Sequence, residues 1–187
     1  MRPQKVHQEE MLQGLMSVLR SKGFDGSSLN DLAEATGLKK ASLYHRFPGG
    51  KMEMTKAVLD FVDGWVQMNI YDVLVDKRES PQQRLVKALK NINNLYHEGE
   101  AICISRALSM ETGMELFGDQ IESGFDKWVE SFTHLGMDLG WKKSKAEEEG
   151  LKTLIGIQGS LVVSKGLRKK AIFQKNLEEI NNRYLEA

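Results

Sequence analysis

Cysteine is almost missing from this chain: Cys103 is the only one in 187 residues. One thiol can neither close an intrachain disulfide nor build a cysteine-based zinc site, so both kinds of scaffold are excluded. Proline is nearly as scarce, at Pro3, Pro48 and Pro81 only. Long apolar runs are missing too. No stretch approaches the roughly 18–20 residues that a membrane span requires, and Met1 to Glu10 is too polar for the apolar core of a signal peptide. The four histidines, His7, His45, His97 and His134, show no metal-ligand spacing, and His97-Glu98 lacks the second histidine of a helical zinc site. No glycine-rich loop is placed to cradle phosphates. The expectation is a cytoplasmic protein without catalytic residues, metal or cofactor.

Net charge is also missing, since 26 Lys and Arg balance 26 Asp and Glu, but the balance is local rather than uniform. Residues 1–51 carry 8 basic and 5 acidic side chains, and the remainder carries 18 and 21. The basic excess sits at the N-terminal end, where a nucleic-acid-binding surface would use it.

What the chain does have is apolar residues at helical spacing in nearly every segment, which predicts an all-α fold of about nine helices. Leu12, Leu15, Met16 and Leu19 predict a first helix over 4–22, stopped by Gly23 and weakened slightly by Gly14. Ser28 caps a short helix to Ala35, with Asp31 at its positive end. Residues 50–75 carry two apolar stripes: Met54, Val58, Phe61, Trp65 and Met68 on one, and Leu59, Val62, Val66, Ile70 and Val73 on the other. A helix of that kind is packed on two sides. Pro81 opens a helix over 81–97, and further helices are expected near 103–112, 114–139, 144–167 and 170–184.

The stretch from Ser28 to Phe47 meets the constraints of a helix-turn-helix. Ala33 is small where two helices cross, and Gly37 can take the left-handed conformation of a tight turn. Leu38 and Leu43 then close the small core beneath it. With Leu43 and Phe47 pointing inward, Lys39 to Arg46 forms a second helix. Its outer surface carries Lys40, Ala41, Ser42, Tyr44 and His45, side chains that suit phosphates and base edges in a major groove.

At these residues the chain resembles the TetR family of transcriptional regulators. The likeness extends over residues 5–65 and rests on Ser28, Leu32-Ala33, Gly37, Leu43-Tyr44, Phe47, Pro48-Gly49-Gly50 and Lys51. It implies that Ser28, Tyr44 and Lys51 hold phosphates, while Lys40, Ala41, Ser42 and His45 face bases or the adjacent backbone. Lys39 replaces the usual capping Ser or Thr and would bind phosphate instead, Ala41 replaces a frequent Gly, and Arg46 replaces an aromatic residue or His. The likeness further implies a DNA-binding domain over 1–50, an effector-binding and dimerisation domain over 51–187, and a repressor of a palindromic double-stranded DNA operator.

In the second half, Leu151, Leu154, Ile155, Leu161 and Val162 form an apolar side, with Gly156, Gly159 and Ser160 allowing close approach. Paired with Ile172, Phe173, Leu177, Ile180 and Tyr184, the helices 144–167 and 170–184 would form a homodimer interface, or an in-chain core from the same residues. Trp65, Met68, Cys103, Met110, Phe125, Trp128 and Gln158 are the candidate lining of an effector cavity, whose mostly apolar character suggests a small apolar or aromatic effector. Two other readings stay open: a helical adaptor that binds no DNA, and a redox-responsive regulator acting through Cys103.

Overall fold

The structure, a computed structural model, describes residues 7–186; the first residues of the helix expected from position 4 lie outside that range. The described residues contain nine α-helices and no strand. They are α1 (Gln8–Gly26), α2 (Leu29–Thr36), α3 (Lys40–Arg46), a long α4, α5 (Pro81–Leu95), α6 (Ile104–Leu108), α7 (Glu111–Asp138), α8 (Lys143–Leu167) and α9 (Ala171–Leu185). Helix α4 runs from Gly50–Val66 through a π-helical turn, Gln67–Tyr71, into Asp72–Val75. The chain divides into two compact units, and the division does not follow the expected boundary at residue 50. The residues up to Asp63 with Ile104–Ile121 form the first; Gly64–Cys103 with the residues from Glu122 onward form the second.

In the first unit α1 buries Met11, Leu12, Leu15, Val18 and Leu19. Each such side chain contributes roughly 1.5–3 kcal/mol relative to leaving it in water. Gly23 stops the helix as its sequence position predicts, with φ 69° and ψ −173°, and a last turn follows to Gly26. Gly14 is not a mere weak point in that helix. A Cβ there would lie 2.6 Å from the Ala35 carbonyl oxygen, so Gly14 is where α1 and α2 meet backbone to backbone. Residues far along the chain complete the unit: the Phe117 ring meets Phe24 edge-on at 5.5 Å, and the Gln120 amide donates to Asp60 at 2.6 Å.

In the second unit the π turn shifts the register of α4. Ile70 and Leu74 are fully buried, Val73 is only half-buried, and Met68 is turned out to solvent. The extra residue of a π turn displaces backbone hydrogen bonding, and α5 compensates, because the Asn91 amide donates to the Asn69 carbonyl at 2.8 Å. Ser80 and Gln83 form a capping box at the start of α5, with Pro81 in its first turn as expected. Arg84 is buried on α5, donating to the Leu74 carbonyl at 2.6 Å and to Asp138 at 2.9 and 3.0 Å, which ties together the ends of α4 and α7. The apolar side of α9 goes to the in-chain core: Phe173, Leu177, Ile180 and Tyr184 are buried, and Tyr184 packs on Trp141 at 4.7 Å and Phe132 at 5.8 Å. Helix α8 splits. Leu154 and Leu161 face inward, and Gly156 makes room for Asn176 of α9, whereas Leu151, Ile155, Val162 and Val163 are exposed.

Two glycine substitutions separate packing from propensity. In an open helical position Gly→Ala gains up to about 1 kcal/mol, and Gly124→Ala, with no atom within 4 Å of the added methyl, is expected to raise the melting temperature. Gly14→Ala meets a carbonyl instead and is expected to cost a net 1–3 kcal/mol or so in a denaturant titration.

Candidate nucleic-acid interface

The interface is built from α2 upward. Ser28 caps α2 in a complete capping box: its hydroxyl accepts from the Asp31 amide at 3.2 Å, and Asp31 accepts from the Ser28 amide at 2.9 Å and hydroxyl at 2.8 Å. Asp31 also pairs with Lys22 of α1 at 2.6 Å. The Lys22 ammonium, followed by the Ser28 amide and hydroxyl, holds the Asp31 carboxyl down to about 2. This geometry differs from the phosphate-holding role implied for Ser28. Its hydroxyl is occupied locally, beside a carboxylate that repels an approaching phosphate.

Gly37 ends α2 in the left-handed region, φ 64° and ψ 14°, and the Leu38 amide returns to the Ala33 carbonyl at 3.1 Å. Lys39 then occupies the cap of α3 with extended backbone and no side-chain cap bond, which leaves its ammonium free of that duty. Seven residues of helix follow. Leu43 is 0% exposed and Phe47 is buried beneath it, as the spacing predicts. Lys39, Lys40, Ala41, Ser42, Tyr44 and His45 all lie on the exposed side. The structure therefore brings six of the eight expected contact residues onto one solvent-facing surface. Arg46, though exposed, has Nη1 3.2 Å from the Met11 sulfur and leans back toward α1.

The turn after α3 sets the tyrosine. Gly50 has φ 65°, the left-handed backbone that the turn requires, and the Tyr44 ring lies beside it, its Cε1 3.4 Å from where a Cβ would stand, an ordinary packing distance. Tyr44 remains 45% exposed, its ring supported on one side. Glu53 accepts from the Gly49 amide at 2.6 Å and fixes the start of α4.

Lys51 departs from expectation. It is half-buried; its ammonium donates to the carbonyls of Phe24 at 2.7 Å and Ser27 at 3.1 Å, and lies 4.2 Å from the centre of the Phe24 ring. Two of its three N–H groups thus satisfy carbonyls at the end of α1. No local signal could have revealed this, because the partners lie 27 and 24 residues away.

The seven residues expected to line an effector cavity do not come together in this way. Met110 belongs to the first unit and is 68% exposed, and Met68 is 64% exposed. Cys103 and Trp128 are buried, with Trp128 stacked on Tyr96 at 6.5 Å. Trp65, Phe125 and Gln158 are half-buried, and the Gln158 side-chain oxygen is enclosed without a hydrogen-bond partner. Among the described residues, no group of three or more His, Cys, Asp or Glu is placed to hold a metal ion.

Residues 12–58 match the family model described as bacterial regulatory proteins, tetR family. Over 163 residues the chain is 22% identical to the HTH-type transcriptional regulator LmrA of Bacillus subtilis, covering 83% of this chain and 85% of that protein. Its fold matches the crystal structure of a TetR transcriptional regulator from Legionella pneumophila, with a TM-score of 0.80, 16% identity and coverage of 98% and 99%. It also matches the TetR family regulator CifR, solved as a cysteine mutant complexed with 26 bp double-strand operator DNA, with a TM-score of 0.70, 23% identity and coverage of 95% and 98%.

Lys51→Met is expected to lower stability by roughly 1–3 kcal/mol in the absence of any DNA, because it removes the donor to the Ser27 carbonyl, whereas the Phe24 carbonyl keeps the Ser27 hydroxyl at 2.8 Å; an unchanged melting temperature would mean that the lysine serves only a ligand. The Asp31 pair has a definite pH signature. A carboxyl depressed on folding contributes stability above its ordinary pKa, near 4, and loses it as pH falls through about 2. The stability difference between the parent and Asp31→Asn should therefore be constant near neutrality and shrink between about pH 4 and pH 2.

Proposed function

The chain belongs to the TetR family of transcriptional regulators, and from that premise we propose that it works as a homodimeric repressor that leaves a palindromic operator when a small molecule binds. The observation that carries the DNA-binding part is the exposed face of α3: Lys39, Lys40, Ser42, Tyr44 and His45 stand out from a helix whose Leu43 and Phe47 are buried. Lys39 and Lys40 at the helix start supply charge for phosphates. Tyr44 offers a hydroxyl on a ring held by the Gly50 turn. Ser42 and His45 offer hydrogen-bonding groups to base edges, and the Ala41 methyl suits a thymine methyl.

One recognition helix reads too few bases for useful specificity, and two-fold symmetry doubles the site. The exposed strip of α8 is suited to pairing with a second copy. Leu151, Ile155 and Val162 are 50%, 61% and 43% exposed, and Gly159 between them has no atom within 4 Å of a would-be Cβ. In this reading α9 contributes from its flank, since its apolar face is spent in the in-chain core. Release by an effector requires a ligand that binds one arrangement of the dimer better than another, and it shifts DNA affinity by that difference alone. The unpaired Gln158 oxygen favours a ligand with a hydrogen-bond donor within an otherwise apolar body. Cys103 is enclosed rather than poised for attack, which favours this reading over a redox-responsive one.

The test is the salt dependence of binding to a mixed-sequence duplex. Each phosphate contact adds about 0.9 to the slope of log K against log salt. Replacing Lys39 and Lys40 together by Ala is expected to reduce the slope by about 2 and weaken binding to every sequence. Tyr44→Ala should weaken binding without moving the slope. Lys40 and Tyr44 variants that bind as well as the parent would remove α3 from the interface and favour a helical adaptor.

A further inference from the structure

The first unit contains a groove of about 700 Å³ that the proposed DNA contact does not use. That volume lies within the few hundred to a thousand Å³ typical of small-molecule sites. One wall is Gly49 with the start of α4 as far as Lys56, and the other is the start of α7, from Met114 to Gln120. Three large apolar side chains are held open to solvent here: Met52, Met114 and Leu116 are 51%, 47% and 44% exposed. Gly118 leaves the α7 wall without a side chain, the only atoms near its would-be Cβ being the Met114 methyl and sulfur.

The rim is acidic. Glu53, Glu115 and Asp119 line it against a single Lys56. Glu53 is engaged by the Gly49 amide, whereas Glu115 and Asp119 form no ion pair among the described residues. This sign is opposite to the basic excess of residues 1–51, so a nucleic-acid phosphate is not the occupant that the groove suits. A bare metal ion is not suited either, because the carboxylates are not clustered for coordination. Flexible methionines adapt to irregular shapes and favour contact between sulfur and aromatic rings. Carboxylates at the edge of an apolar surface favour a positive charge that is itself weakly hydrated.

We propose that this groove binds a lipophilic organic cation carrying aryl groups. Such a ligand places its rings against Met52, Met114 and Leu116 and its charge within the field of Glu115 and Asp119. This inference does not depend on the chain binding DNA, and its test contains none.

The experiment is calorimetric titration of the full chain with tetraphenylphosphonium, and in parallel with tetraphenylborate, which has the same shape and the opposite charge. The cation is expected to bind saturably and at least about tenfold more tightly than the anion. A Glu115→Gln, Asp119→Asn double variant should weaken the cation on the order of tenfold and leave the anion unweakened, in line with two partly exposed charge contacts. Gly118→Leu should fill the groove and abolish binding. The carboxylates sit on an exposed rim, so an unchanged melting temperature of the double variant confirms that it is folded. Equal affinity for the two probes, or a double variant that binds the cation as the parent does, would overturn the proposal. So would sedimentation showing that a second copy of the chain covers the groove and that Met114→Glu disperses it while the cation fails to compete.

Discussion

A seven-residue helix does not hold itself together in water, because nucleation costs more than so few hydrogen bonds return. Helix α3, which packs on α2, exists because Leu43 and Phe47 are driven out of water, and every exposed side chain on its other side takes its direction from that burial. The seat depends in turn on how closely α1 and α2 approach, which Gly14 sets by presenting bare backbone to the Ala35 carbonyl. The Gly37 and Gly50 turns, both with left-handed backbone, fix the two ends. The surface proposed to read DNA is thus the outer face of a small packing solution. Changes beneath it are expected to act on recognition without touching a base.

Much of this was legible in the sequence, for local physical reasons. The cap at Ser28, the left-handed Gly37 and the inward pair Leu43 and Phe47 are each decided within four residues of chain. What was not legible depends on partners distant in sequence. Lys51 reads as an exposed phosphate ligand until the carbonyls of Phe24 and Ser27 come beside it. Gly14 reads as a flaw in a helix until α2 packs on it. The π turn in α4 leaves no trace in the apolar periodicity except that Leu74 replaces Val73 as the buried residue. The expected effector lining was read from a signal that is not specific: methionines and aromatics at helical spacing mark any core, and here Trp128 stacks on Tyr96 while Met68 and Met110 are exposed.

The division into units also changes how the chain is organised. Residues 104–121 follow the expected domain boundary by more than fifty positions, yet they belong to the same unit as the helix-turn-helix. Helices α4 and α7 each contribute residues to both units, and their starts line the acidic groove. The contact of Phe117 with Phe24, and of Phe24 with the Lys51 ammonium, links the start of α7 to the start of α4. Ligand-linked changes at α7 therefore have a short packed route to the segment that follows the recognition helix. A route of this kind becomes a coupling only where two ligands favour different arrangements of it.

The central claim, that two copies of α3 read DNA together, is tested most directly by selecting bound duplexes from a random-sequence pool with the purified chain. The account predicts enrichment of an approximate palindrome whose half-sites lie roughly 34–36 Å apart or at a multiple of that distance. Recovery of DNA with no shared sequence, or of a single half-site without symmetry, would contradict it.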